Sequence, residues 1–155
     1  MLDPIIPAFR ASDRCIAAIK QFEGFRAKAY RDIGGVLTIG YGETRGVTAG
    51  MEITQDEADV MLRAEIAQIA LELGLLVKVP TTQGQADALI DLVYNLGSGA
   101  LQRSTLLKML NRGDYDGAQG QFSLWVNAAG KPVAGLQKRR AMEQQWWSEH
   151  VEIAA

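Results

Sequence analysis

Seven of the sixteen glycines in this chain fall between residues 24 and 50, while almost everything after residue 54 carries its apolar residues at helical spacing. A glycine-rich stretch of strands and turns ahead of a run of helices sorts the chain into two lobes of different texture. That is an α+β pattern, not a bundle or a sandwich. Unlike lobes of this kind generally leave a groove between them, and such junctions are common ligand sites.

The individual elements follow from local signals. Ser12 and Asp13 can cap a helix over 13–23 whose apolar positions are Cys15, Ile16, Ile19 and Phe22, which puts Glu23 at a helix end. In AYRDIGGVLTIGYG the Gly34-Gly35 pair reads as a hairpin turn between two strands. Alternation puts Leu37, Ile39 and Tyr41 on the packed face and turns Thr38 away from it, on the same side as Asp32 if the register is the simple one. Thr54-x-x-Glu57 is a capping box opening a long helix that runs to Gly74 or slightly past it, and Thr82-x-x-Gln85 opens a second, stopped by Gly97. Shorter helical patterns cover 104–112, 114–124 and 135–148. The expected layout is a β lobe over about 24–52 and a helical lobe over about 75–150 that includes the first helix, joined by the long helix.

Composition removes several classes of function. The formal net charge of −2 supplies no broad field for holding nucleic acid or an anionic membrane. One cysteine, Cys15, and one histidine, His150, support neither a disulfide framework nor a zinc cluster. His150 reads as a solvated tail residue and Cys15 as a small buried one. No segment approaches the ~20 apolar residues of a membrane span, and MLDPIIPAFRASDR lacks the apolar core of a signal peptide. The chain is therefore expected to have no export signal or stable membrane insertion. GxGxxG, Walker, HExxH, GxSxG and CxxC patterns are all missing, so neither a cofactor nor a metal is expected.

Carboxylate chemistry remains. Glu23, Asp32 and Thr38 lie within one segment that would form a groove wall. Glycoside hydrolysis needs this kit: one carboxyl gives a proton to the leaving oxygen, a second orients water and offsets developing positive charge, and a hydroxyl helps hold that water. Spacing alone does not separate this from eighteen acids scattered over solvated faces.

The surrounding residues add a resemblance. QFEGFRAKAYRDIGGVLTIGYGET resembles the catalytic segment of the phage-type lysozymes, glycoside hydrolase family 24, with E-x8-D-x5-T spacing intact. VTAGMEITQDEAD, LVYNLGSGALQRSTLLKMLN and WVNAAGKPVAGLQKRRAMEQQWW are similar to later stretches of that family, in the same order, over roughly residues 13–148. The resemblance implies a lysozyme-like fold with an active-site cleft between the lobes. It also implies a metal-free muramidase that cuts the β-1,4 bond between N-acetylmuramic acid and N-acetylglucosamine in peptidoglycan, normally with inversion. Glu23 becomes the general acid, Asp32 orients water or stabilises the transition state, and Thr38 helps place the water.

Substrate-binding candidates from the same resemblance are Tyr41, Asn95, Ser104, Thr105 and Arg139. Tyr41 has a competing place in the packed sheet face. One of Arg139 and Arg140 is expected to reach the cleft or the Glu23 carboxylate, the other to be a surface or structural residue. Trp125, Trp146 and Trp147 are candidates for sugar stacking but at helical spacing belong more readily to the core. One departure stands out: the family usually has histidine where this chain has Glu43, and an acid beside Asp32 or Glu23 would raise a neighbouring carboxyl's pKa. The implied partner is the glycan strand of peptidoglycan, attacked by a monomer made in the host cytoplasm and released with a holin. Two rivals are a lytic transglycosylase, which leaves a 1,6-anhydro product, and a wall-binding or phage structural protein without turnover.

Overall fold

A computed structural model describes residues 9–149. Residues 1–8 and 150–155, which include His150 and the first part of MLDPIIPAFRASDR, lie outside the described residues.

Helix α1 (Asp13–Glu23) begins where expected: the Ser12 hydroxyl accepts from the Cys15 N–H, Asp13 occupies the first turn and Lys20 the last. Its inner face buries Cys15, Ile16 and Ile19, and Gly24, at φ 69°, ends it. Strands β1 (Arg26–Arg31) and β2 (Leu37–Gly40) form an antiparallel hairpin with Tyr30 opposite Thr38 and Arg31 opposite Leu37. Gly35, at φ 80°, makes the left-handed turn residue, and its N–H donates to the Asp32 carbonyl. Residues 51–53 lie along the other edge of β1, through Ala29 N–H to Met51 O and Ile53 N–H to Ala27 O, both 2.9 Å.

The register brings Asp32 and Thr38 to the same side, but only the Asp32 end of that side is open. Thr38 is only 4% exposed, like Ile39 and Tyr41 at 0% and 5%. Alternation fails here because β2 is covered on both faces. On the Thr38 side, Gly40 lies so close to Ile53 and Ala58 that a β-carbon there would stand 3.2 Å from Ile53 Cδ1.

Both capping boxes form completely, at Thr54 with Glu57 and at Thr82 with Gln85. Helix α2 (Gln55–Leu76) buries Ala58, Leu62, Ile66, Ile69 and Leu73. Helix α3 (Gln83–Leu96) is the centre of the core, buried continuously from Gly84 to Val93, and packs against α1, α2 and α7. A short helix α4 (Ser98–Gln102), absent from the sequence reading, follows Gly97, whose φ of 88° breaks the chain direction. Helices α5 (Thr105–Asn111) and α6 (Tyr115–Gln121) come next, α6 tightening into a 3-10 turn at Phe122–Leu124. A two-residue hairpin, β3 (Asn127–Ala128) with β4 (Lys131–Pro132), also not anticipated, leads into α7 (Ala134–Trp147). Helix α7 approaches α3 closely: a β-carbon on Gly84 would meet the Trp146 carbonyl at 2.1 Å, so only glycine fits. Trp146 and Trp147 are core residues at 6% and 4% exposure, Trp147 donating to the Tyr115 carbonyl. Trp125 packs partly buried against the same core. All three serve packing.

Candidate active site

Glu23 is the last residue of α1, where the helix direction and the glycine after it carry the side chain out of the core at 23% side-chain exposure. Its two carboxylate oxygens have different surroundings. Oε1 accepts from Nη1 of Arg139 at 2.9 Å. Oε2 lies over Gly42, where a β-carbon would come within 2.9 Å of it, and accepts no hydrogen bond from the described residues.

Arg139 comes from α7 and is 4% exposed. Its Nε and Nη2 donate to the two oxygens of Asp91 at 2.9 and 2.8 Å, and its guanidinium carbon sits 5.0 Å from the Phe22 ring centre. Burial works against the Arg139 charge, but the hydrogen bonds and charges of Asp91 and Glu23 outweigh it and push the guanidinium's pKa up. Of the two arginines, Arg139 is thus the one that reaches Glu23. Arg140, 1% exposed, pairs with the buried Glu143, Nη2 to Oε1 at 2.8 Å. Burial, then the Asp91 carboxylate beside it, pushes the Glu143 carboxyl well above the usual range.

Asp32 and Thr38 meet at one backbone unit. Asp32 Oδ1 accepts from the Val36 N–H at 2.8 Å, and the Thr38 hydroxyl donates to the Val36 carbonyl at 2.9 Å. Asp32 is exposed, whereas Thr38 is buried. Among the described residues no hydrogen bond or ion pair joins this pair to Glu23.

The proposed sugar contacts scatter. Tyr41 lies in the core, its hydroxyl accepting from Gln55 Nε2 at 3.2 Å and its ring 5.7 Å from that of Phe25, so its face is unavailable to a sugar. Ser104, 7% exposed, is the N-cap of α5: its hydroxyl accepts from the Leu107 N–H and donates to the Leu101 carbonyl. Both of these sequence expectations give way to structural roles, because a tyrosine enclosed just past a covered strand and a serine at a helix start have their surfaces already used. Thr105 is exposed on the first turn of α5, and Asn95 is half-buried with Oδ1 unpaired.

Glu43 acts elsewhere than expected. Its Oε1 accepts from the Arg45 N–H, and the Arg45 guanidinium stands 3.5 Å from Glu65 on α2. A carboxyl it does perturb is Glu65, which burial and then the Glu43 charge push upward. Gly42, Glu43, Thr44, Arg45, Glu65 and Tyr94 line a polar cavity of about 150 Å3. Tyr94, not singled out in the sequence, donates to the Tyr41 carbonyl, and burial followed by the charges of Glu23, Glu43 and Glu65 pushes its phenol up.

Asp91 and Glu143 were also missed. One signal for Asp91 was present: an acid in the apolar run ALIDLVY, one helical turn after Asp87, on the face that must be buried. Among the described residues no group of three or more His, Cys, Asp and Glu is placed to hold a metal, and no helix is long and apolar enough to cross a membrane.

With its carboxyls carried by a helix end and a hairpin turn of a two-lobed α+β fold, the chain has the frame of a lysozyme-type glycosidase. The phage lysozyme family model matches residues 20–143, and the chain belongs to that family. It is 45% identical over 137 residues to an endolysin of Acyrthosiphon pisum secondary endosymbiont phage 1, covering 86% of this chain and 94% of that one. It is similar in structure to the muramidase domain of SpmX from Asticaccaulis excentricus, with a TM-score of 0.84, 32% identity and coverage of 91% of this chain and 99% of that one. A second similar structure is the endolysin from Escherichia coli O157:H7 phage FAHEc1, with a TM-score of 0.79, 37% identity and coverage of 92% and 95%. The chain is a host-lysis endolysin with muramidase activity, acting on the peptidoglycan of the cell wall after release.

Proposed function

We infer that Glu23 is the general acid of this hydrolysis and that Asp32 and Thr38 manage the water. Protonated Glu23 gives its proton to the glycosidic oxygen between N-acetylmuramic acid and N-acetylglucosamine as the C1–O bond breaks, the bonding pair leaving with that oxygen. Water adds to C1 from the opposite face and passes a proton to Asp32, while the negative charge of Asp32 offsets the oxocarbenium-like centre. The Thr38 hydroxyl, whose hydrogen goes to the Val36 carbonyl, has lone pairs left to accept from that water.

The division of labour within the Glu23 carboxyl carries this reading: Arg139 holds Oε1, and Oε2, with no donor among the described residues, is left to carry the proton to the leaving group. On this reading the chain works as one catalytic domain over residues 1–155, as a monomer without metal or cofactor. It is made in the host cytoplasm and is released through a holin-type pore. Thr105 and Asn95 remain the candidates for sugar contact.

Mass spectrometry of the fragments released from purified peptidoglycan, by the protein and by Glu23→Gln, tests the reading. Fragments carrying one added water at the reducing end, lost in the variant, support it. Anhydro-ended fragments identify a transglycosylase, and no fragments from a folded protein identify a binding or structural role.

A further inference from the structure

Helix α3 carries two aspartates one turn apart, Asp87 and Asp91, both 0% exposed. Asp87 accepts from the Ser12 N–H at 2.9 Å and from its hydroxyl at 2.6 Å, just ahead of α1. Asp91 takes two donors of Arg139, whose remaining Nη1 holds Glu23 at the far end of α1. The first aspartate ties the start of α1 directly; the second ties its end through an arginine that touches the proposed acid.

Resting on the reading of Glu23 as proton donor, we propose that Asp91 is a positioning residue for the reaction. By occupying the Nε and Nη2 donors of Arg139, it orients the guanidinium so that only Nη1 remains for Oε1 of Glu23, and Oε2 stays over Gly42 without a protein donor. Nothing else in the described structure performs this task. The Phe22 ring supports the guanidinium near its face but does not set its rotation in the plane. An arginine freed from Asp91 has two adjacent N–H groups with no other partner, and a carboxylate accepts two such groups readily. It would turn its fork onto Glu23, occupy both oxygens and hold the carboxyl in its ionised form.

The expected pH effect has one sign. Removing the Asp91 charge and giving Glu23 a second donor both favour ionised Glu23, so the alkaline limb of the activity profile moves to lower pH. The titratable and charged groups around the pair are Arg140 and Glu143 from α7, Asp87 and Tyr94 from α3 and Cys15 from α1, with Glu43 and Glu65 beyond Tyr94. All of them are retained in an Asp91→Asn variant.

The test compares the whole protein with Asp91→Asn, Asp87→Asn and Glu23→Gln, measuring kcat, KM on soluble peptidoglycan fragments and the pH profile, with the folded fraction fixed by thermal melts. The expected result for Asp91→Asn is a kcat lower by about 10- to 100-fold, the size of effect that misplacing a reacting group produces. KM should change by less than about twofold, since Asp91 does not touch substrate, and the alkaline limb should shift down. Asp87→Asn, at the other end of the same tie, should lose stability but keep kcat and the pH profile per folded molecule. If Asp91→Asn turns over like the wild type per folded molecule with an unmoved profile, the proposal is overturned while an inactive Glu23→Gln leaves the acid assignment intact. Full activity in Glu23→Gln overturns the acid assignment itself. Should Asp91→Asn not fold, Arg139→Lys replaces it: lost kcat at steady KM supports the proposal, and wild-type kcat overturns it.

Discussion

A β-carbon on Gly42 would stand 2.9 Å from Oε2 of Glu23, nearer than carbon and oxygen approach without a bond. The glycine at this position, at φ 89°, therefore serves two needs at once, a left-handed backbone and clearance for the proposed acid. Gly42→Ala should cost about 1–2 kcal/mol of stability from the backbone alone. It should also reduce kcat by about tenfold or more by displacing the carboxyl. Urea melts and turnover on cell walls separate the two effects; a stability loss with unchanged kcat would remove Gly42 from the site.

The Asp91–Arg139–Glu23 chain is buried at one end and half-open at the other. Removing the arginine leaves an uncompensated charge at Asp91, so Arg139→Met should destabilise the fold by about 3–5 kcal/mol. Adding Asp91→Leu removes the orphaned charge and should recover a large part of that loss without recovering activity. Urea denaturation of the single and double variants reads the coupling.

Glu65 is pushed upward by burial and then by Glu43. A carboxyl raised in the folded state binds more protons there than in the unfolded chain. Its contribution is therefore most favourable below the ordinary glutamate range and is lost as pH rises through the raised value. Glu43→Gln removes the repulsion and should raise Tm by about 1–2 °C at pH 7, with no gain at pH 3.5, where the raised Glu65 carboxyl is protonated and leaves no charge to repel. Equal shifts at both pH values would point to packing instead of charge.

Ser104 and Thr105 are neighbours with different tasks. Ser104→Ala removes the α5 N-cap and should cost about 1 kcal/mol while leaving KM unchanged. Thr105→Ala should leave stability within about 0.5 kcal/mol and raise KM if its exposed hydroxyl meets the glycan. A KM effect from Ser104→Ala with no loss of stability would reverse the two roles.

Much of this fold is legible locally. Ser12, Thr54 and Thr82 start their helices as their side-chain chemistry requires, and Gly24 and Gly97 stop theirs with positive φ. These signals act within a turn of the chain, so no distant residue can override them cheaply. Misread positions are those where a neighbour far along the chain decides the environment. Thr38 alternates outward by local rule but is buried, on a strand that packs against α2. Of the two places the sequence offered Tyr41, sugar contact or the packed sheet face, the enclosure by Gln55 and Phe25 selects the second. The short α4 and the β3–β4 hairpin are too brief for periodicity to register.

The candidate site divides along the same line. The amino-acid sequence by itself determined the helix end that carries Glu23, the hairpin that carries Asp32 and Thr38, and the family to which the chain belongs. Tertiary structure alone decided which arginine meets Glu23, that Asp91 anchors it from 48 residues away in the chain, and that Glu43 faces Glu65. The physical reason is that charges interact through space with a strength set by distance and burial. Neither quantity exists until α1, α3 and α7 have packed.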